Sequence, residues 1–179
     1  MSAPVLAQPP SIEEVLRTPG RERAEFAHGE FWEKPMGSGK HSRLQGLLCI
    51  LLGNYLMKSK LGLVLPEYHH RFGPDGDLRL FIPDVAIALQ RSVPDYADRA
   101  SDIMIEIVSP SQSPALFADK IAFYLANGAR EVWVVEPTER WIAIYQPGIS
   151  PRHFGRGKTL VSSLLPGFEL NVDEFFGEP

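Results

Sequence analysis

Two carboxylates and a lysine stand where charge is expensive in this chain. Glu106 interrupts Ile103-Met104-Ile105-Glu106-Ile107-Val108, a run without polar/apolar alternation, which predicts a strand covered on both faces. Asp84 follows Ile82-Pro83 and precedes Val85-Ala86-Ile87-Ala88-Leu89, again inside a segment with the pattern of a buried strand. An ionised carboxylate stripped of water costs several kcal/mol even after relaxation, so each of these must be neutralised, paired with a cation or bound to a metal. Brought together on neighbouring strands, the two would offer hard oxygen ligands of the kind magnesium (Mg2+) or manganese (Mn2+) prefers. Beyond Glu106 a breaker-rich loop over Ser109–Pro114 leads into a helix expected from about Ala115 to Asn127 and ended by Gly128. On it Leu116, Lys120 and Tyr124 share one face and Phe117, Ile121 and Leu125 form the adjoining stripe, which puts Lys120 at the border of the buried side.

The surrounding elements must bring these groups together. Glu131–Val135 predicts a strand parallel to the one holding Glu106, so the intervening helix lies across that sheet. Upstream, residues 62–89 predict two strands joined by Gly73-Pro74-Asp75-Gly76-Asp77, the second delivering Asp84. Glu67, His69 and His70 fall on the first of them; adjacent histidines on a strand point to opposite faces and no further ligand stands at zinc spacing, which argues against zinc. His41–Lys58 predicts a long helix with Leu44, Leu47, Leu48, Leu51, Tyr55 and Leu56 at helical spacing. His41 opens it, where an anion or a simple cap would be favoured. Arg23–Glu33 predicts a strand or a hairpin arm turning at Gly29-Glu30, with Phe26, Phe31 and Trp32 as its apolar residues. Ser11-Ile12-Glu13-Glu14 is a capping box for a short helix, and residues 1–10 predict a disordered arm. Residues 90–100 form a loop that connects strands or touches a ligand. On the far side, 132–135 and 141–145 predict a hairpin at the sheet edge. Residues 147–158 predict a flexible connection, followed by a strand, a turn at Pro166-Gly167 and a closing helical turn bearing Phe175 and Phe176. Together these give an α/β fold with a mixed central sheet flanked by helices, residues 11–179 forming one domain.

The 179 residues, 44% hydrophobic and 22% charged, suffice for one domain with a sizeable core. A net charge of -4 gives no general attraction to nucleic acid, so any such contact must come from local groups: Lys34, Lys40, Arg43, Lys58 and Lys60, or Arg152, Arg156 and Lys158. None forms a dense run, and the simplest reading of them is solvated surface. The single cysteine, Cys49, lies in an apolar stretch and is expected to be a buried small hydrophobe in a reducing compartment. The first ten residues lack the pattern of a signal peptide and no apolar run reaches the roughly 20 residues of a membrane span, so a cytoplasmic protein is expected. No phosphate-cradling glycine loop and no Ser/His/Asp arrangement is legible.

Pro83-Asp84, Glu106 within a hydrophobic strand, Glu106-Ile107-Val108-Ser109-Pro110-Ser111, then Asp119-Lys120 and Tyr124 resemble the PD-(D/E)XK nuclease superfamily. More narrowly, with Phe26-Ala27-His28-Gly29-Glu30, His41 and Glu67, residues 11–172 are similar to its bacterial restriction-endonuclease-like family. The superfamily pattern places lysine two residues after the acidic residue, and here that position is Val108. The resemblance implies that Lys120 on the following helix takes the lysine role. It also implies a metal held by Asp84, Glu106 and the backbone carbonyl of Ile107, with Glu30 as a further oxygen ligand and His41, Glu67 and Tyr124 in support, Tyr124 positioning Lys120.

The expected function is metal-dependent phosphodiester hydrolysis on DNA by a homodimer. Asp84 and Glu106 would hold the cation, and Lys120 would orient the attacking water or offset charge developing on the phosphate. The alternative keeps the fold without the chemistry: a binding or assembly module in which Asp84, Glu106 and Lys120 form a buried structural ion network.

Overall fold

The computed structural model describes residues 24–28, 30–34, 37–73, 78–90, 92–110 and 113–177. The arm over residues 1–10 and the helix expected from Ser11 lie outside them. In chain order the elements are β1 (Ala24–Ala27), β2 (Glu30–Glu33), α1 (Gly39–Ser59), β3 (Leu63–Pro66), β4 (His70–Phe72), β5 (Arg79–Phe81), β6 (Val85–Ala88) and β7 (Ile103–Ile107). There follow α2 (Pro114–Ala126), β8 (Glu131–Glu136), β9 (Trp141–Gln146), β10 (Ile149–Phe154), β11 (Thr159–Val161), β12 (Glu169–Asn171) and the closing turn α3 (Val172–Phe176).

The main sheet has six strands in the order β10-β9-β8-β7-β6-β3. Only the β7–β8 pair is parallel in it, with Ile103 opposite Glu131 and Glu106 opposite Val134. All five residues of β7 are buried, as its unbroken apolar run predicts. Their alternation divides the core. Ile103, Ile105 and Ile107 join Leu44, Leu48, Leu52 and Leu56 of α1 on one face, where Phe175 and Phe176 also pack. Met104 joins Ile121 and Tyr124 of α2 on the other. By the same period of two, Glu106 shares the face of Met104 and is presented to α2.

Three expectations need correction. The strands expected over residues 62–89 are four, because the chain bends at Glu67, whose φ is 49°, and again at Ile82-Pro83. Pro83 has no N–H for a sheet ladder. The near halves β3 and β6 stay in the main sheet, and the far halves β4 and β5 pair with the first hairpin in a second sheet, order β2-β1-β5-β4. Asp84 therefore sits at the fork between two sheets rather than within a strand. The flexible connection expected after residue 147 is mostly strand: Pro147-Gly148, with Gly148 at φ 70°, turns the chain into β10, which pairs with β9. Pro151 is accommodated there because β10 is the outermost strand and its register shifts between Ile149 and Arg152. Cys49 is half-buried rather than fully buried. Among the described residues no helix is long and apolar enough to cross a membrane.

Candidate active site

Asp84 is 1% exposed and its main chain is fixed at the fork, since the Gln45 side chain and the Glu67 N–H both donate to its carbonyl, at 2.9 and 3.3 Å. The side-chain Oδ2 accepts the Ile107 N–H at 2.7 Å and lies 3.2 Å from His41 Nε2. Lys34 Nζ stands 2.8 Å from Oδ1. That last contact is an ion pair without hydrogen-bond alignment, for Lys34 Nζ and Asp84 Oδ1 are both buried with no hydrogen-bond partner among the described residues. Burial works against the charge on Asp84. The hydrogen bond from His41 and the nearby Lys34 and His41 outweigh it and hold the carboxyl well below the usual carboxylate range.

Glu106, 2% exposed, has a different environment. Lys120 Nζ lies 2.8 Å from its Oε1 and the Tyr124 hydroxyl donates to the same oxygen at 2.9 Å. Lys120 also donates to Glu25 Oε1 at 2.6 Å, an oxygen that takes the Ile82 N–H at 2.9 Å as well. One ammonium thus ties β7, α2 and β1 together. Burial pushes Glu106 up to about 7, with Asp84 and Glu25 adding to the rise against the opposing Lys120 and Lys34. Burial alone would drive Lys120 down, but Glu106 and Glu25 hold it charged well above its usual range. Burial and Glu106 raise Tyr124 far above its usual value, so its hydroxyl stays a donor. Two neighbouring carboxylates pushed in opposite directions give one permanent anion and one group that exchanges a proton near neutrality.

The cleft between them is also lined by Gly37, Ile107 and Ser109. A side chain on Gly37 would come within 2.9 Å of His41 Nδ1, so the glycine leaves the imidazole room to face Asp84. Of the residues expected from the sequence, Asp84, Glu106, Ile107, Lys120, His41 and Tyr124 meet here, although Tyr124 bonds Glu106 rather than Lys120. Glu67 is peripheral, its Oε1 4.0 Å from Lys34. Glu30 is exposed at the start of β2 and does not line the cleft. The first hairpin delivers Glu25 instead, because Glu25 shares a strand face with Ala27, which packs toward α2, while Phe26 turns to the core of the small sheet. That alternation was visible in the sequence; which face meets α2 was not. Lys34 gave no signal beyond following the hairpin, and its side chain is 8% exposed rather than solvated. Lys40 and Arg43 likewise have internal tasks, donating to the carbonyls of Pro137 and Gly177. His70 is a satisfied core histidine: Nδ1 must donate to the Tyr68 carbonyl, at 2.8 Å, so Nε2 accepts from the Ser101 hydroxyl at 2.9 Å.

Among the described residues no three His, Cys, Asp or Glu side chains are grouped to hold a metal by themselves. A smaller oxygen donor set does exist. Asp84 Oδ1 takes no hydrogen bond, and Glu106 is contacted on Oε1 by Lys120 and Tyr124. Two carboxylates fit magnesium, which retains waters and takes substrate phosphate oxygens to complete its shell.

A family model described as "Putative restriction endonuclease" (Uma2) matches residues 12–173. No curated protein matches the chain. Among solved structures, the crystal structure of a putative nuclease belonging to DUF820 from Anabaena variabilis is similar, with a TM-score of 0.81 and 24% identity over 94% of this chain and 98% of that one. At that identity the likeness is one of fold.

Proposed function

The chain belongs to the "Putative restriction endonuclease" family, and from that membership and the cleft we propose that it is a metal-dependent phosphodiester hydrolase acting on DNA. The observation that carries the reading is Asp84 Oδ1, a buried anionic oxygen with no hydrogen bond, beside a second carboxylate and two lysines. Asp84 and Glu106, with the backbone of Ile107, would hold magnesium or manganese, whose charge polarises a phosphoryl oxygen toward attack. Lys120, held by Glu25 and Glu106, keeps a positive charge at the cleft to offset charge gathering on the phosphate. Lys34 is free of a directed hydrogen bond and can transfer its contact from Asp84 to a phosphate. Glu106 exchanges a proton near neutral pH, which suits a group that handles protons during hydrolysis.

We also place this activity in a cytoplasmic homodimer. Ile50 and Met57, 59% and 72% exposed, with Leu51 and Leu61 leave apolar surface on and just beyond α1 that a second copy would cover, and two sites related by a two-fold axis suit two DNA strands. One observation favours the alternative of an inactive binding or assembly module: Glu25, Lys120 and Glu106 form a closed ion triad that needs no ligand. Incubating plasmid and single-stranded DNA with the protein in magnesium, manganese and EDTA separates the two. Cleavage that requires the metal and vanishes in Asp84→Asn supports hydrolysis. Absence of cleavage in every metal, with no metal binding by calorimetry, supports the structural triad.

A further inference from the structure

On the other side of the Glu25–Lys120 pair lies a second cavity of about 210 Å³. Ala27, Trp32, Phe81 and Leu116 supply its apolar surface, and Ser113 and Asp119 stand among its polar residues. Glu25 and Lys120 line both this slot and the cleft, so a chain whose phosphate occupies the cleft has a neighbouring part within reach of the slot. We propose that the slot receives an unstacked nucleobase bearing an exocyclic amino group, from the nucleotide next to the phosphate under attack. The inference rests on the hydrolase reading above and adds the part of the substrate that this surface recognises.

The charges of the slot decide its occupant. Its basic groups are already engaged: Lys120 by Glu25 and Glu106, and His28 by Asp119 at 3.0 Å. Arg79, behind Phe123, also turns to Asp119, at 3.6 Å. Among the described residues a phosphate therefore meets no unengaged basic side chain there. Both contacts to Asp119 fall on Oδ2, which leaves Oδ1 as an acceptor among the described residues. What the slot offers is acceptors beside an aromatic face. Carboxylates accept from the amino groups of cytosine or adenine, a donor that thymine lacks. Trp32, 37% exposed on an edge strand, supplies the stacking platform that unstacked bases use. Extrusion of a base costs least in single-stranded or distorted DNA, so such sites are the expected substrates.

The test measures binding of labelled pentanucleotides of cytosine, adenine or thymine to the full chain, with calcium as the cation. The parent should bind cytosine and adenine about tenfold more tightly than thymine. Trp32→Ala should lower affinity for both by about tenfold, the scale of one lost base stack, and Trp32→Phe should restore most of it. Asp119→Ala should narrow the difference between amino-bearing bases and thymine. Equal affinity for all three oligonucleotides, unchanged in Trp32→Ala, overturns the slot. If plasmid is still cut in magnesium under that result, the hydrolase reading survives alone; if plasmid is not cut and no oligonucleotide binds, both readings fall.

Discussion

Glu106 and Glu131 are both buried carboxylates on the parallel β7–β8 pair, one near the end of β7 and the other at the start of β8. Glu131 is enclosed by neutral donors on both oxygens: Trp133 Nε1 and the Ser162 hydroxyl each at 2.8 Å on Oε2, and the Ser163 hydroxyl at 3.0 Å with Gln146 at 3.4 Å on Oε1. Glu106 has one oxygen engaged, by a lysine and a tyrosine, and an anionic neighbour in Asp84. Burial alone does not distinguish a reactive carboxylate from a structural one. The difference lies in which oxygens are satisfied and whether the partners are cations at a cleft or dipoles in a core.

The largest expected effect breaks the comparison at the cleft. Asp84→Asn and Glu106→Gln should each lower metal-dependent cleavage by at least about 10²-fold while weakening metal binding by calorimetry. Glu131→Gln should leave cleavage per folded molecule unchanged. Parental cleavage by Asp84→Asn would remove the cleft from the chemistry altogether.

Next in size is Lys120→Met, which should lower cleavage by about 10²-fold with metal affinity nearly intact. The same change leaves Glu25 and Glu106 unpaired, at a cost of about 3 kcal/mol above neutral pH. The loss should be larger at pH 8 than at pH 6, since the ion pair that the parent makes through Lys120 is kept only where Glu106 is ionised. Melting curves at pH 6 and 8 read the second effect independently of the first. A variant that binds metal and cuts at the parental rate would make Lys120 as structural as the partners of Glu131.

At the structural end, Glu131→Gln should cost about 2 kcal/mol in urea unfolding, the scale of a hydrogen bond to a charged group. Glu131 also marks the limit of what the sequence made legible. Glu106 was conspicuous because apolar residues surround it in the chain, whereas Glu131 opens its strand after Arg130 and gave no sign of burial. Apart from Trp133 in its own strand, its partners come from β9 and from the segment after β11, a relation that no local pattern contains. The mixed sheet without its edge strand β10, α1 and α2 could be read from hydrophobic periodicity, and with them the convergence of Asp84, Glu106 and Lys120. Glu25 and Lys34 could not, since their places depend on how the first hairpin closes over the fork at Asp84. The bend at Pro83 has a local cause, yet the second sheet it creates requires β1 as a partner, which is again a long-range fact.

The smallest net effect is the pH dependence of the parent, in which two buried groups oppose each other. Glu106 is raised to about 7 from an ordinary 4.5, first by burial. Between those values the folded protein binds more protons than the unfolded chain, so the stability contributed by protonated Glu106 is full below pH 4.5 and is lost as pH rises through 7. His70 is lowered by burial to about 4 from 6.5. The folded protein binds fewer protons in that window, so the stability contributed by neutral His70 is present above pH 6.5 and is lost as pH falls through 4. The two slopes have opposite sign and overlap from about pH 4.5 to 6.5, where they should largely cancel in the parent. Relative to the parent, Glu106→Gln should therefore gain stability progressively as pH rises from 5 to 7, and His70→Asn should lose it. Urea midpoints of the three proteins at pH 5, 6 and 7 measure both differences. If the Glu106→Gln curve stays parallel to that of the parent, Glu106 titrates like an ordinary carboxyl and its contrast with Glu131 is only one of geometry.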